Sequence, residues 1–147
     1  MRRIEDAKLR SRNMASVRGK GTQPELAVRK ELFRRGYRFR INVRALPGTP
    51  DVVLPRRRCA IFVHGCFWHS HKCPRGARPL TNRRFWNKKL DNNVRRDRLN
   101  RVALRRAGWK VFIIWECQLR KEGLDRALEA FPPIRNKRPR SVFRSDK

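Results

Sequence analysis

The sequence predicts a single α/β domain, a mixed central sheet flanked by helices. Three observations carry this expectation. Helix-period and strand-period segments follow one another in the order helix, strand, strand, strand, helix, strand, helix. The chain has 147 residues, the length of one domain. Its apolar content of 39% can supply a core, and no segment is repeated.

Residues 1–21 are polar and basic and read as an arm carrying a short helix around 7–17. Thr22-Gln-Pro-Glu25 is a capping-box pattern, with Thr22 as N-cap and Glu25 reaching back. The helix it opens runs to about Arg35, and Gly36 suits the position just past the cap. Val28 and Leu32, four residues apart, form its buried stripe. Tyr37 to Val43 alternates apolar and polar residues, as a strand with one wet face does. A turn at 46–50 leads to a short strand from Asp51 to Leu54, stopped by Pro55 and the basic turn Arg56–Arg58. Cys59 to Val63 is a continuous apolar run, the pattern of a central strand. Residues 83–107 form a long, very basic helix ending at Gly108. Trp109 to Trp115 is another apolar strand, with both tryptophans expected in the core, and a last helix covers about Lys121–Phe131. From Pro132 the chain is rich in Pro and Arg and reads as a loose tail. The expected boundaries are therefore 1–21 for the arm, 22–131 for the domain and 132–147 for the tail.

Charge narrows the partner. Forty Lys and Arg against twelve Asp and Glu give a net charge of +28. Such a chain repels itself and calls for a polyanion, nucleic acid first, since neutralising phosphates releases counterions. A membrane surface fits less well, because the basic residues are scattered over every segment rather than gathered on one helix face. There is no run of about 18 apolar residues and no apolar stretch behind the basic N-terminus. A reducing, cytoplasmic setting is expected, where clustered cysteines bind metal more readily than they form disulfides.

All three histidines, His64, His69 and His71, fall within eight residues, and Cys66 and Cys73 stand in or beside that stretch. Zinc takes four thiolate or imidazole ligands in a tetrahedron. Cys66, His71 and Cys73 are close enough in sequence to share one structural zinc ion. Cys117, at the expected end of the last strand, is the natural fourth ligand if that strand neighbours residues 59–63. Cys59 begins the earlier strand, at its other end, and is left out.

His64 and His69 remain. Pro50-Asp51 opens a strand that is followed about a dozen residues later by a second apolar strand, the beginning of a restriction-type nuclease motif. A carboxylate at a strand end can bind magnesium, which polarises a phosphate and acidifies water. The second strand offers no acidic residue and no Lys; it offers the Val63 carbonyl and the two imidazoles.

These residues carry a family resemblance. The chain resembles a very short patch repair (Vsr-type) endonuclease, a strand-specific nicking enzyme for T:G mismatches. The matching pieces are 14–20, 22–25, Leu46-Pro-Gly-Thr-Pro-Asp51, Phe62-Val-His-Gly-Cys-Phe-Trp-His-Ser-His-Lys-Cys73, 82–86, Lys89 with Asn93 and Asp97, Gly108-Trp109 and Ile114-Trp-Glu-Cys117. They span about residues 11–131 in order, and the HGCFWHxHxC block is highly specific. The resemblance implies a restriction-endonuclease-like fold, one structural zinc and catalytic magnesium, two ions, for hydrolysis of one strand of double-stranded DNA. It also implies a bacterial, DNA-associated monomer with mismatch-repair proteins as possible partners. It makes Asp51 and the Val63 carbonyl magnesium ligands and His69 the general base, a role that suits imidazole's titration near neutral pH. By the same resemblance His64 supports the phosphate or its leaving group, and Glu25 hydrogen-bonds a metal-bound water.

Phe67 and Trp68 stand in a polar loop, and Trp86 opens a helix otherwise full of Arg and Lys. Large apolar side chains beside a basic cleft can wedge between base pairs, and a poorly stacked T:G pair yields more easily. The family uses its equivalents of these three this way. Met14 and Val17 on the arm could press from the minor groove, and Lys89 and Asn93, on one helical face, could reach the mismatched bases. Two alternatives keep the same charge and zinc. One is a sequence-specific nicking endonuclease that needs no mismatch; the other is a zinc-containing nucleic-acid-binding protein that does not cut.

Overall fold

The computed structural model describes residues 21–134. The expected arm helix, with Met14 and Val17, therefore lies outside the described residues, as does most of the tail. The element order is α1 (Gln23–Arg34), β1 (Arg40–Ile41), β2 (Val52–Leu54), β3 (Cys59–His64), α2 (Arg83–Arg106), β4 (Lys110–Trp115) and α3 (Glu116–Ala127). This is the expected order, and the four strands form one mixed sheet in the order β1-β2-β3-β4. β1, β2 and β3 are antiparallel neighbours, whereas β4 runs parallel to β3.

A parallel pair needs a crossover, and α2 supplies it. All six residues of β3 are buried, since the strand is central and covered on both faces. One face packs Val28 and Leu32 of α1 with Ile61, Val63, Leu128 and Phe131. The other packs Ala60 and Phe62 with Leu104 of α2. Successive side chains of β3 alternate between these two layers, so Val63 and His64 serve opposite faces of the sheet.

Several local expectations are corrected. Of the strand expected over Tyr37–Val43, only Arg40 and Ile41 pair: Asn42 adopts φ 48° and turns the chain after them, and β2 ends at Leu54, so it offers little strand opposite the residues before them. The last helix starts at Glu116, directly after β4, rather than at Lys121, and it is broken at Gly123, where φ is 78°. Cys117 thus sits in the first turn of α3 instead of at a strand end. In the capping box Thr22 Oγ1 accepts from Glu25 N, but Glu25 reaches one residue further back, to the N–H of Gly21 at 3.0 Å. The first residues of the expected loose tail are held in place. Tyr37 Oη donates to the Pro132 carbonyl at 2.7 Å, and Ile134 N to the Arg35 carbonyl at 2.8 Å. Trp109 and Trp115 are only partly buried, whereas Trp86, at 3% exposure, is the tryptophan that packs like a core residue.

Candidate active site and metal centre

The C-terminal ends of β3 and β4 lie side by side, with His64 opposite Trp115. The chain leaving β3 folds back on itself at once. His69 N donates to the Gly65 carbonyl, Ser70 N to Phe67 and His71 N to Cys66, at 3.0–3.3 Å. This winding brings His71 and Cys73 back to Cys66 and delivers all three to Cys117. The four ligand atoms lie within 4.8 Å of one another. Four donors bound about 2.0–2.3 Å from one zinc ion stand roughly 3.3–3.8 Å apart, so this set of three thiolates and one imidazole needs only a small contraction. Cys117 Sγ is 3.4 Å from His71 Nδ1, and Cys117 N donates to Cys66 Sγ at 3.4 Å. Burial pushes the Cys66 thiol up to about 12. Burial opposes ionisation of Cys73 as well, but contacts with His71 and Cys66 and the N–H groups of Gly76 and Arg75 bring it down to about 6. Cys59 is at the opposite end of β3, beside Lys110, and plays no part in the cluster.

Gly76 is a residue of this centre that sequence reasoning misses. A Cβ there would lie 1.8 Å from the His71 carbonyl oxygen, so the ligand loop can close only on glycine. The signal is present in Pro74-Arg-Gly76, but nothing local says which backbone the glycine must approach.

His64 and His69 stack face to face, with centroids 3.6 Å apart and planes within 3°. Asp97 Oδ2 is 2.5 Å from His69 Nδ1. The carboxylate accepts, so Nδ1 carries the hydrogen and Nε2 is left with the lone pair. Asp97 matches the family pattern, but its role needs α2 to be folded against the loop. The donors of His64, His69 and Asp97 also lie within 4.8 Å. Parallel rings, however, direct their lone pairs side by side rather than to one point, so the trio suits proton transfer better than metal binding. His64 is held neutral at neutral pH: burial first, then the neighbouring His69 ring, which disfavours a second proton there, brings it down to about 3. Its Nδ1 is buried with no partner among the described residues. A cleft of about 280 Å³ opens over His64, His69 and Asp97, with Arg101, Lys72 and Trp115 on its walls.

Asp51 sits just before β2. Its Oδ2 accepts the Val63 N–H at 2.7 Å, and Oδ1 accepts none among the described residues. Burial, then the nearby negative charge of Glu25, raises the Asp51 carboxyl to about 6, although the Val63 N–H opposes this. Glu25 is itself 3% exposed. Arg29 Nη2 donates to the Glu25 carboxylate, 3.2 Å from Oε2, and to the main-chain carbonyl of Asp51 at 3.4 Å. A buried and a half-buried acid close together, with a free carboxylate oxygen, are what a hard divalent cation needs. Asp51, Val63, Glu25, His64 and His69 are thus gathered at one end of the sheet, beside the Cys/His centre.

Phe67, Trp86 and Leu90 form a small buried cluster with Trp68 on its outer side. Phe67 and Trp86 are each 3% exposed, and Trp68 is half-buried. Lys89 and Asn93 both attend Trp68. Lys89 Nζ lies 5.4 Å from its ring centroid, and Asn93 Nδ2 donates to its carbonyl at 3.2 Å. Trp86→Ala is therefore expected to cost about 3–5 kcal/mol of folding stability, the usual scale for emptying a buried aromatic site. Trp68→Ala should cost clearly less. Thermal unfolding of the two variants checks the order, and equal losses would contradict it. Around this cluster α2 exposes a basic surface, with ten Lys and Arg against two Asp in 24 residues.

Sequence comparisons decide the family. The family described as DNA mismatch endonuclease Vsr matches residues 3–75. The DNA mismatch endonuclease Vsr of Escherichia coli is 42% identical over 117 residues, 80% of this chain and 75% of the relative. The chain belongs to the Vsr family of DNA endonucleases. Other Vsr relatives carry a different name. The type II nicking enzyme V.XorIIP of Xanthomonas oryzae pv. oryzae is 48% identical over 117 residues, 80% of this chain and 84% of the relative. The type II nicking enzyme V.NmeAIP of Neisseria meningitidis serogroup A is 41% identical over the same shares. DNA is accordingly the partner of this Vsr-family chain, and no described helix is long and apolar enough to cross a membrane.

Proposed function

We propose that this endonuclease nicks one strand of DNA beside a T:G mismatch, using magnesium at Asp51 and a structural zinc at Cys66, His71, Cys73 and Cys117, within a restriction-endonuclease-like fold. The observation that carries the catalytic part is the His64–His69–Asp97 arrangement beside the Asp51–Glu25 pair. Asp51 and the Val63 carbonyl would hold magnesium, which when bound polarises the phosphate and acidifies water. Asp97 fixes His69 with Nε2 free to take the proton of the attacking water. His64 stays neutral beneath it, so the imidazolium that forms on His69 meets no second positive ring at 3.6 Å. A neutral His64 can still donate one hydrogen bond to a phosphate oxygen. Glu25 closes the acidic side and orients water there.

Mismatch recognition falls to the aromatic cluster. Trp68 is the ring with an open side, so it leads the wedge. Phe67 and Trp86 form the platform behind it and reach DNA only if the cluster opens. Lys89 and Asn93 steady Trp68 and stand at the same opening. Met14 and Val17 complete the reading from the other groove. A monomer suffices for one nick, and mismatch-repair proteins are the expected partners.

The names of the Xanthomonas and Neisseria relatives favour a second reading, nicking at a defined sequence without a mismatch. One assay separates the two. Purified protein with magnesium is given duplexes that differ only in T:G or T:A at one position, in varied flanking sequences. Nicks confined to T:G duplexes are expected; equal nicking of T:A at one flanking sequence supports the second reading.

A further inference from the structure

Arg29 is an unusual neighbour for a magnesium site. It is one helical turn after Glu25 on α1, and its side chain is only 12% exposed. Nη2 is shared between Glu25 Oε2 at 3.2 Å, the Asp51 carbonyl at 3.4 Å and Asn42 Oδ1 at 3.5 Å. Its Nε is buried and has no partner among the described residues. Burying a guanidinium is costly, and leaving one of its N–H groups unmatched adds to the cost. The general fold does not require it, since Val28 and Leu32 already supply the apolar stripe of α1. The acids explain it: two carboxyl groups crowded together away from bulk water repel each other without a cation, and a fixed positive charge relieves that repulsion.

We propose that Arg29 is a resident countercation of the Glu25–Asp51 pair, holding the acids together before metal arrives and weakening magnesium binding once it does. The inference rests on Asp51 as the magnesium ligand. A monovalent charge that cannot leave competes with a divalent ion for the same field. The enzyme keeps an ordered, metal-free site and charges with magnesium only where the ion is plentiful, or where DNA phosphate adds negative charge to the site.

The test is a magnesium chloride titration of the zinc-loaded full chain without DNA, read as the rise in melting temperature. Arg29→Gln should melt lower than wild type in magnesium-free buffer. The midpoint of its magnesium response should fall roughly 10-fold, since a like charge a few ångströms from the ion is removed. Arg29→Lys keeps the charge and should keep the wild-type midpoint within about threefold. Should Arg29→Gln be unfolded without magnesium, refolding on adding the ion is the expected result and failure to refold overturns the inference. An unchanged midpoint and melting temperature in Arg29→Gln also overturns it, as does equal tightening in Arg29→Lys. A magnesium response that survives Asp51→Ala overturns the metal reading and this inference together. A response abolished by Asp51→Ala but indifferent to Arg29→Gln overturns this inference alone.

Discussion

Asp51→Ala is expected to abolish nicking while leaving DNA binding intact or tighter. A metal-held phosphate is worth several kcal/mol in the transition state, so the single-turnover rate should fall by at least about 10³-fold. Binding should hold because the change removes a negative charge from a site that receives phosphate. Stability should move the other way in magnesium-free buffer. The Asp51 carboxyl is raised from its ordinary 3.8 to about 6, so the folded chain binds that proton more tightly than the unfolded chain. Its contribution is fully present below the ordinary value and is lost as pH rises through about 6. At pH 8 Asp51→Asn, which carries no charge to desolvate, should therefore be more stable than wild type, by at most about 3 kcal/mol. Melting curves at pH 4 and pH 8 test the sign: the gain should be near its full size at pH 8 and small at pH 4, close to the ordinary carboxyl value. Undiminished cleavage by Asp51→Ala would remove the catalytic assignment altogether.

The second large effect is expected at the metal centre. Protein purified without added metal should contain about one zinc per chain, and Cys117→Ser should contain almost none. Structural zinc contributes on the order of 10–16 kcal/mol in small domains, as much as a whole domain's stability of about 5–15 kcal/mol. Cys117→Ser should consequently be largely unfolded, while Cys59→Ser, at the far end of β3, keeps both zinc and fold. Metal analysis with circular dichroism on the two variants decides it. Full zinc in Cys117→Ser would take that residue out of the site.

The element order and the Cys/His set are legible in the sequence because each rests on a local signal. Glycines 36 and 108 close helices at φ 94° and 88°, where a side chain would be strained. The apolar run at 59–63 fits only a covered strand. What the sequence hides are features set by a distant partner. Nothing near Asp97 announces that α2 brings it against His69, and nothing near Arg29 announces Asp51. Trp86 lies in a segment crowded with charge, yet it is buried, because Phe67 from the loop after β3 packs onto it beside Leu90, one turn further along α2. Trp115 has the sequence setting of a core residue and instead stacks on His71, with ring centroids 4.1 Å apart, at the join between the metal centre and the imidazole pair. The strand expected over 37–43 is too long because alternation says nothing of the partner: β2 ends at Leu54 on one side, and Asn42 turns the backbone on the other.

Among the described residues the strand order leaves β4 at the margin of the sheet, with β3 on one side only. From Val111 to Trp115 it is wholly apolar, the composition that invites another chain to add on. Its guards stand at its two ends, Lys110 at the start and Cys117 just past the finish. A metal clasp on Cys66, His71, Cys73 and Cys117 would therefore do more than shape a loop: it would pin the far end of this apolar ribbon. If zinc fills that clasp, a chain starved of it would free this apolar ribbon for self-association, and the metal would govern how much folded enzyme is available.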